Sequence, residues 1–594
     1  MSSKHGAAFS DSIHTEKIKR RHFREEDSSR IRSRVLLVLL LLTSGILLFK
    51  IVSLQLIKGS YYRSLSDSNR IRTKIIYAPR GVLFDRNDIP LVYNLPGFRQ
   101  TKGDKTILIP KEKALDMIAK GDESIFVDSL RQYPFKDAFA HVIGYLGQVT
   151  KDEILSEDFA DYHITDLIGK SGLEYEYENL LKGNNGKQLI EVDALGRAVR
   201  VLGQTDPIPG QDLKLTLDSR LQQAAYDGMK DVVRGAVVVT TPKGEILSLV
   251  SKPSFDPNLF TLDSSYVATN TAYTSIEKIL LGDNQPLLNR AVSGTYPPGS
   301  TYKIVMAAGA LESKKIDSSY AVTDNGKIII GPYSYSNWYY TQYGRTEGQV
   351  NVVKALTRSN DIFFYELADK IGLDTIVSTS KEMGVGRLLG IDIPGESKGV
   401  LPDKAWKKKN IGEDWYTGDT YIFGIGQGYL LTTPLQVNAW TQVIASGGTL
   451  YRPHLLKSSG EHVLTTTTLG PSAINLVRQG MMGACETGGT GWPLFQFRIK
   501  NSKLIIDGKN IMPDPQATMS ASTSDYRHVT IACKTGTAQH GDDKTLPHAW
   551  ITLFAPAYNP EIVVTVLNES SGEGSSEAGP IAKKILEAYF EKRK

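Results

Sequence analysis

The sequence predicts a multi-domain chain with a single N-terminal transmembrane helix, an elongated β-rich pedestal and an α/β domain whose antiparallel sheet is flanked by helices. Three observations carry that prediction. A chain of 594 residues is too long for one ordinary domain, and 41% hydrophobic residues are ample for sizeable cores. One long apolar run stands near the start. Short strand-like runs fill the chain to about residue 215, after which strands at both ends enclose a series of helical patterns.

Residues 1–34 form a basic tail that is expected to be cytoplasmic. It holds nine Lys/Arg against five Asp/Glu and so most of the net charge of +5. That placement argues against a nucleic-acid binder, which carries its basic patch on the folded part. Val35 to Phe49 is almost unbroken apolar sequence, and Ile51 to Ile57 extends it past Lys50. Residues 35–57 therefore suit one membrane anchor, with Lys50 snorkelling to the interface. A cleaved signal peptide competes, but Phe49-Lys50-Ile51-Val52 offers no small-x-small cleavage site. The basic flank puts the N-terminus inside the cell (inner or cytoplasmic) membrane and the remainder outside.

Residues 58–215 read as the pedestal. Arg80-Gly81 and Asp85-Arg86 would most simply form structural ion pairs across opposing strands, and no nucleophile–base constellation is visible there. Residues 216–594 read as one α/β domain. It opens with a helix start at Ser219, then a hairpin of Ala236 to Thr240 and Ile246 to Val250 around Pro242-Lys243-Gly244. A second hairpin, Ala549 to Phe554 with Ile562 to Leu567, follows a strand at Lys534, and the closing helix Ile581 to Phe590 would cover one sheet face. The first and last strands should be neighbours.

Three short words carry the chemistry. Ser300-Thr301-Tyr302-Lys303 places an amine one helical turn after a hydroxyl. Ser359-Asn360-Asp361 supplies a second hydroxyl for proton relay, and Lys534-Thr535-Gly536-Thr537 a cationic strand for an anionic substrate. Ser300 follows Tyr296-Pro297-Pro298-Gly299, which breaks the chain, and precedes an apolar helix from Ile304. A serine at that helix start has N–H groups and the positive dipole end beside it, where an oxyanion forms. Ser378-Thr379-Ser380-Lys381 and Lys170-Ser171-Gly172 match two of the patterns by spacing alone. The first lies in a surface helix and the second precedes every candidate nucleophile, so both read as decoys. Cys485 and Cys533 are the only cysteines. A disulfide between them is possible, but alternation puts Cys533 on the core face opposite Lys534, and a buried free thiol is the preferred reading.

The order and surroundings of these words resemble the class B penicillin-binding proteins, membrane-anchored monofunctional peptidoglycan D,D-transpeptidases. Arg80-Gly81 with Asp85-Arg86-Asn87, and Gly172 to Gly186, resemble that family's dimerisation-type pedestal. Ser254-Phe255-Asp256-Pro257-Asn258, Gly424-Ile425-Gly426-Gln427-Gly428 and Thr433-Pro434-Leu435-Gln436 resemble landmarks of its β-lactamase-like serine transpeptidase domain. Trp415-Tyr416-Thr417-Gly418-Asp419-Thr420, and Asp361 where Asn is commoner, resemble the elongation-type (penicillin-binding protein 2-like) members. Some of those carry Asp, Asp, His and Cys zinc ligands. Here Thr301 to Arg358 holds neither His nor Cys, and Asn337, Arg345 and Asn360 stand at about those places, so no metal and no cofactor is expected.

The resemblance implies a serine acyl-enzyme. Lys303 takes the proton of Ser300, Ser359 relays one to the leaving group, Asp361 holds the lysines, and Lys534, Thr535, Gly536 and Thr537 bind the substrate's terminal carboxylate. The substrates would be peptidoglycan stem peptides ending in D-Ala-D-Ala, and β-lactam antibiotics would mimic that terminus. The partners it implies are a SEDS-family glycosyltransferase and elongation-complex membrane proteins. Rival readings are a D,D-carboxypeptidase, a β-lactamase or β-lactam sensor, and a scaffold that activates the glycosyltransferase.

Overall fold

A computed structural model describes residues 26–591, apart from 103–104, 123, 157–161, 163–165, 194–196, 263–265, 269–271, 501–525 and 543. Most of the basic tail expected at 1–34 thus lies outside the described residues. The chain divides into two compact units, one of Met1–Lys74 with Lys187–Gln204 and one of Ile75–Gly186 with Thr205–Lys594.

In the first unit, helix α1 (Glu26–Val52) runs through the apolar segment. Arg30–Ile57 is the one stretch, among the described residues, long and apolar enough to cross a membrane. Its leucines are exposed all round, as in a helix whose solvent is lipid. The same unit holds all but the end residues of a three-stranded sheet of Ile71–Ile76, Gly186–Val192 and Ala198–Thr205. Glu191 on its middle strand pairs with Arg70 and, at 2.6 Å, with Arg200.

The second unit begins with a sheet that includes Leu83–Phe84, Pro90–Lys102 and Ile125–Gln132. The ion pairs expected here form with other partners. Arg80 meets Glu174 at 2.9 Å and Glu178 at 2.8 Å, and Arg131 meets Glu174 at 2.7 Å and the Gly81 carbonyl at 2.7 Å. Asp85 instead accepts from the N–H groups of Asn87 and Ile89 and from the hydroxyl of Ser219 at 2.7 Å. It is fully buried, and these donors rather than an arginine satisfy its carboxylate.

The α/β part is built on five antiparallel strands: β1 (Gly235–Thr240), β2 (Ile246–Lys252), β3 (Ala532–Ala538), β4 (His548–Ala555) and β5 (Ile562–Asn568). Their order is β2-β1-β5-β4-β3, so the first and last strands do pair, Gly235 opposite Asn568. Every residue of β1, β4 and β5 is buried because helices cover both faces, which is why these strands read as continuous apolar runs. Helices α2 (Ser219–Gly228) and α3 (Gly579–Glu591) lie on one face, against Val237, Val239, Val564 and Val566. On the other, helix Pro434–Ala445 reaches the sheet through a buried polar ladder. Thr240 donates to Asn438 at 2.7 Å, and Thr441, Thr552 and Thr565 follow at 2.7 and 2.8 Å.

The cysteine reading is corrected. Cys533 faces the core as the alternation required, but it forms a disulfide with Cys485 across a Cα–Cα distance of 5.8 Å. Cys485 ends helix Pro471–Ala484, which packs along β3. With the two 48 positions apart, no local pattern announced the pairing.

Candidate active site

The turn that carries Ser300 is fixed by close backbone packing. Gly299–Tyr302 is a 3-10 turn that leads directly into helix Lys303–Glu312, buried from Lys303 to Ala310. Gly299 has φ +54°, and a Cβ there would lie 2.9 Å from the Thr537 carbonyl oxygen. Its N–H donates to the Gly426 carbonyl at 2.9 Å, and a Cβ on Gly426 would meet the Gly299 oxygen at 2.2 Å. Only glycine fits either place. The run from Gly424 to Gly428 is thus close-packed backbone behind the Ser300 turn, and Trp550 secures the turn's start by donating to the Pro297 carbonyl at 3.1 Å.

Ser359 sits at the junction of two helices, Val352–Arg358 and Asp361–Ile371. It adopts a left-handed backbone, φ +55° and ψ 38°, unusual for a serine and of the kind that positions functional side chains. Asn360 then caps the second helix, accepting from the Phe363 N–H at 2.9 Å.

Both lysines converge on this serine. Lys303 Nζ donates to the Ser359 carbonyl at 2.8 Å, lies 3.4 Å from its Oγ and pairs with Asp361 Oδ1 at 2.6 Å. Lys534 Nζ, reached from β3, donates to Ser359 Oγ at 2.8 Å and to the Thr535 carbonyl at 2.9 Å. Neither lysine has exposed surface. Burial pushes the Lys303 amine below its usual range, against the pull of Asp361. Lys534 is held well below 10.5, first by burial and then by the charge of Lys303, with Asp361 again opposing. Two amines sharing one carboxylate in a dry site can be held ready to accept a proton.

The structure therefore brings Lys303, Ser359, Asp361, Lys534 and Thr535 together by hydrogen bonds, with Ser300 one turn before Lys303. Gly536 and Thr537 continue β3, where a Cβ on Gly536 would lie 3.0 Å from the Thr301 methyl. Of this strand's motif residues only Thr537 is exposed. Sequence reasoning missed two neighbours. Thr490 meets Thr535 hydroxyl to hydroxyl at 2.7 Å, and the backbone N–H of Trp338 donates to Asp361 Oδ2 at 3.0 Å. The Gly488-Gly489-Thr490-Gly491 run was the available signal for the first; a backbone donor has none. Neither decoy joins this cluster, although Ser380 of the first meets the Tyr302 hydroxyl at 2.6 Å. Ser378 is exposed on helix Leu373–Glu382, and Lys170 pairs with Glu153 at 2.6 Å. Of the residues expected at the zinc-ligand places, Arg345 is exposed, while Asn337 and Asn360 turn their amides to Asp324.

An antiparallel sheet whose edge strand bears Lys-Thr-Gly-Thr beside a serine–lysine turn defines the lysine-assisted serine acyltransferases. Residues 235–587 match the family model of the penicillin-binding protein transpeptidase domain, and residues 123–215 that of the penicillin-binding protein dimerisation domain. The peptidoglycan D,D-transpeptidase MrdA of Acinetobacter baumannii is 32% identical over 91% of this chain and 84% of its own. Among solved structures, the Helicobacter pylori penicillin-binding protein PBP2 in complex with MreC matches 87% of this chain and 98% of its own, with TM-score 0.70 and 28% identity. A chain of a peptidoglycan synthase complex, described as coordinating polymerization and crosslinking, matches 94% of this chain and 98% of its own, with TM-score 0.68 and 26% identity. The chain belongs to the penicillin-binding protein family, with a transpeptidase domain and a dimerisation domain.

Proposed function

We propose that this protein is a peptidoglycan D,D-transpeptidase of cell-wall elongation and shape maintenance, acting through an acyl-enzyme on Ser300. The observation that carries the reading is the pair of buried, depressed lysines converging on Ser359 beside the Ser300 turn. Lys303 takes the Ser300 proton as the serine oxygen attacks the carbonyl of the penultimate D-Ala of a stem peptide. The N–H groups of Ser300 and Thr537 receive the developing oxyanion. Ser359, bonded to both lysines, passes a proton to the departing amine of the terminal D-Ala. Lys534, Thr535 and Thr537 hold the substrate's carboxylate, and Gly536 lets the strand lie close to the turn. The amine of a second stem peptide then attacks the ester, forms the crosslink amide and returns the proton to Ser300. β-Lactams enter as mimics of D-Ala-D-Ala and stop at the ester.

In this reading residues 1–34 are cytoplasmic, 35–57 anchor the chain, 58–215 are the pedestal and 216–594 the extracytoplasmic transpeptidase domain. Glycan polymerisation falls to a SEDS-family glycosyltransferase, and MreC-like membrane proteins dock the complex. The relatives found with MreC and in a synthase complex support that assignment. Mass spectrometry of the protein after benzylpenicillin treatment tests the nucleophile: an intact adduct is expected on the peptide containing Ser300, and an adduct elsewhere refutes it. A D-Ala-D-Ala thioester with a D-amino acid acceptor then separates transfer from hydrolysis, with transfer expected.

A further inference from the structure

Asp324 is a carboxylate with 1% exposure, and among the described residues no lysine or arginine pairs with it. Its oxygens instead face N–H donors. Oδ2 accepts from Asn337 Nδ2 at 2.8 Å, from Asn360 Nδ2 at 2.8 Å and from the Glu347 N–H at 3.1 Å; Oδ1 accepts from the Gly326 N–H at 2.7 Å. Both asparagines have no exposed surface. The nearby charges are turned elsewhere. Glu347 pairs with Arg358 at 2.9 Å and lies 4.0 Å from Lys354, while Asp361 takes Lys303. Donors around an acceptor make a hydrogen-bond hub, whereas a cation site needs acceptors around an electrophile.

The hub fixes which way two amides face, and each amide then does something at the site. With Nδ2 of Asn337 on Asp324, its Oδ1 is left to accept the Asp361 N–H at 3.1 Å. With Nδ2 of Asn360 on Asp324, its Oδ1 caps the helix that begins at Asp361. Asn337 also precedes Trp338, whose N–H holds Asp361 Oδ2. Asp361 is thus held at its backbone, its helix cap and its carboxylate by elements that meet at Asp324.

We propose that Asp324 is a positioning residue for acylation, acting through Asn337 and Asn360 to keep the Asp361 carboxylate on Lys303. The proposal rests on the reading of Ser300, Lys303 and Asp361 given above. Its test uses the full-length protein in detergent and a fluorescent penicillin, with second-order acylation rates followed across pH and the labelled peptide identified. Asp324→Ala leaves two buried amides without their acceptor, so the rate should fall by about tenfold to a hundredfold. Because Asp361 then drifts from Lys303, the pH of half-maximal acylation should also fall. Asp324→Asn, of unchanged size, should show the same shift to a smaller extent. Asn337→Asp alone sets two carboxylates face to face and should be worse than Asp324→Asn. Combining the two restores a donor–acceptor pair with the roles exchanged, and should recover activity above Asn337→Asp. A merely structural role predicts fewer active molecules with an unmoved pH profile and no recovery, and that result overturns the proposal. If Asp324→Ala fails to fold, the isosteric single and double variants decide by the same two readouts. Wild-type label at a residue other than Ser300 sinks the underlying reading instead, which keeps the two failures distinguishable.

Discussion

Removing the charge of Asp361 while keeping its shape separates two things this carboxylate does. Oδ1 pairs with Lys303 at 2.6 Å and Oδ2 accepts the Trp338 N–H at 3.0 Å. In Asp361→Asn the amide oxygen still accepts from Lys303, but the new NH2 faces the Trp338 N–H. One accepted hydrogen bond is lost, about 1 kcal/mol, so the maximal acylation rate should fall by less than about tenfold. The lost charge acts in the other direction on the amines. Asp361 opposes the depression of both lysines, so its removal lowers their pKa further. The pH of half-maximal acylation should therefore drop, as an apparent value belonging to the coupled lysines together. Asp361→Ala removes both acceptors and should slow the maximal rate by on the order of a hundredfold, comparable to deleting one preorganised polar contact. Stopped-flow acylation with a fluorescent penicillin, from about pH 5 to 10, reads both quantities. If Asn is as damaging as Ala at every pH, the charge itself is indispensable and this account of the site is wrong.

Three further outcomes follow from the structure. Ser300→Ala should abolish penicillin labelling and Ser378→Ala leave it unchanged in a gel assay, since Ser378 is exposed and bonds to neither lysine; label surviving on Ser300→Ala overturns the nucleophile. Replacing Cys485 and Cys533 together by Ser should cost about 4 kcal/mol by loop entropy for a separation of 48 residues, read from urea unfolding; unchanged stability would show that the cross-link contributes nothing. His141 is buried, donates from Nε2 to the Pro286 carbonyl at 2.7 Å and has its pKa pushed down to about 4 by burial. The unfolded chain therefore binds the extra proton between about pH 6.5 and 4, and stability is lost as pH falls through that window, by ~3 kcal/mol. His141→Gln should flatten that slope in unfolding experiments; an equally steep slope would exclude His141 as its source.

What could be read from the chain beforehand was local. Alternation placed Val529, Ile531 and Cys533 on one face and Ala532 on the other, because period two needs only neighbouring residues. The Pro-Pro-Gly break before Ser300 and the apolar run after it likewise located the turn and the buried helix that follows it. Partners that depend on the path of the whole chain stayed hidden. Asp85 and Ser219 lie 134 positions apart, and Arg80 finds glutamates 94 and 98 residues away. Nothing in the spacing of these residues encodes such meetings. The Trp338 N–H and the hub on Asp324 were invisible for a second reason. They consist of backbone groups and asparagine amides, whose roles depend on orientation, and residue type carries no orientation.

The electrostatics of the site explain why so much close-packed backbone surrounds it. Lys303 and Lys534 have folded-state pKa values lowered from 10.5, so between those values and 10.5 the unfolded chain binds more protons than the folded one. Folding stability accordingly rises with pH across that window, and near neutrality the two lysines weaken the fold. In the proposed mechanism the same depression makes a lysine amine available to receive the serine proton, so the destabilisation and the chemistry would have one origin. The backbone around the site is closely packed. Gly299 is locked to Gly426, Gly536 lies against Thr301, and a Cβ on Gly574 would lie 2.5 Å from the Gly536 oxygen. Turn and β3 therefore lie in close backbone contact with each other. The sheet's two-sided core, with every residue of β4 and β5 buried, supplies the stability that this strained arrangement draws on.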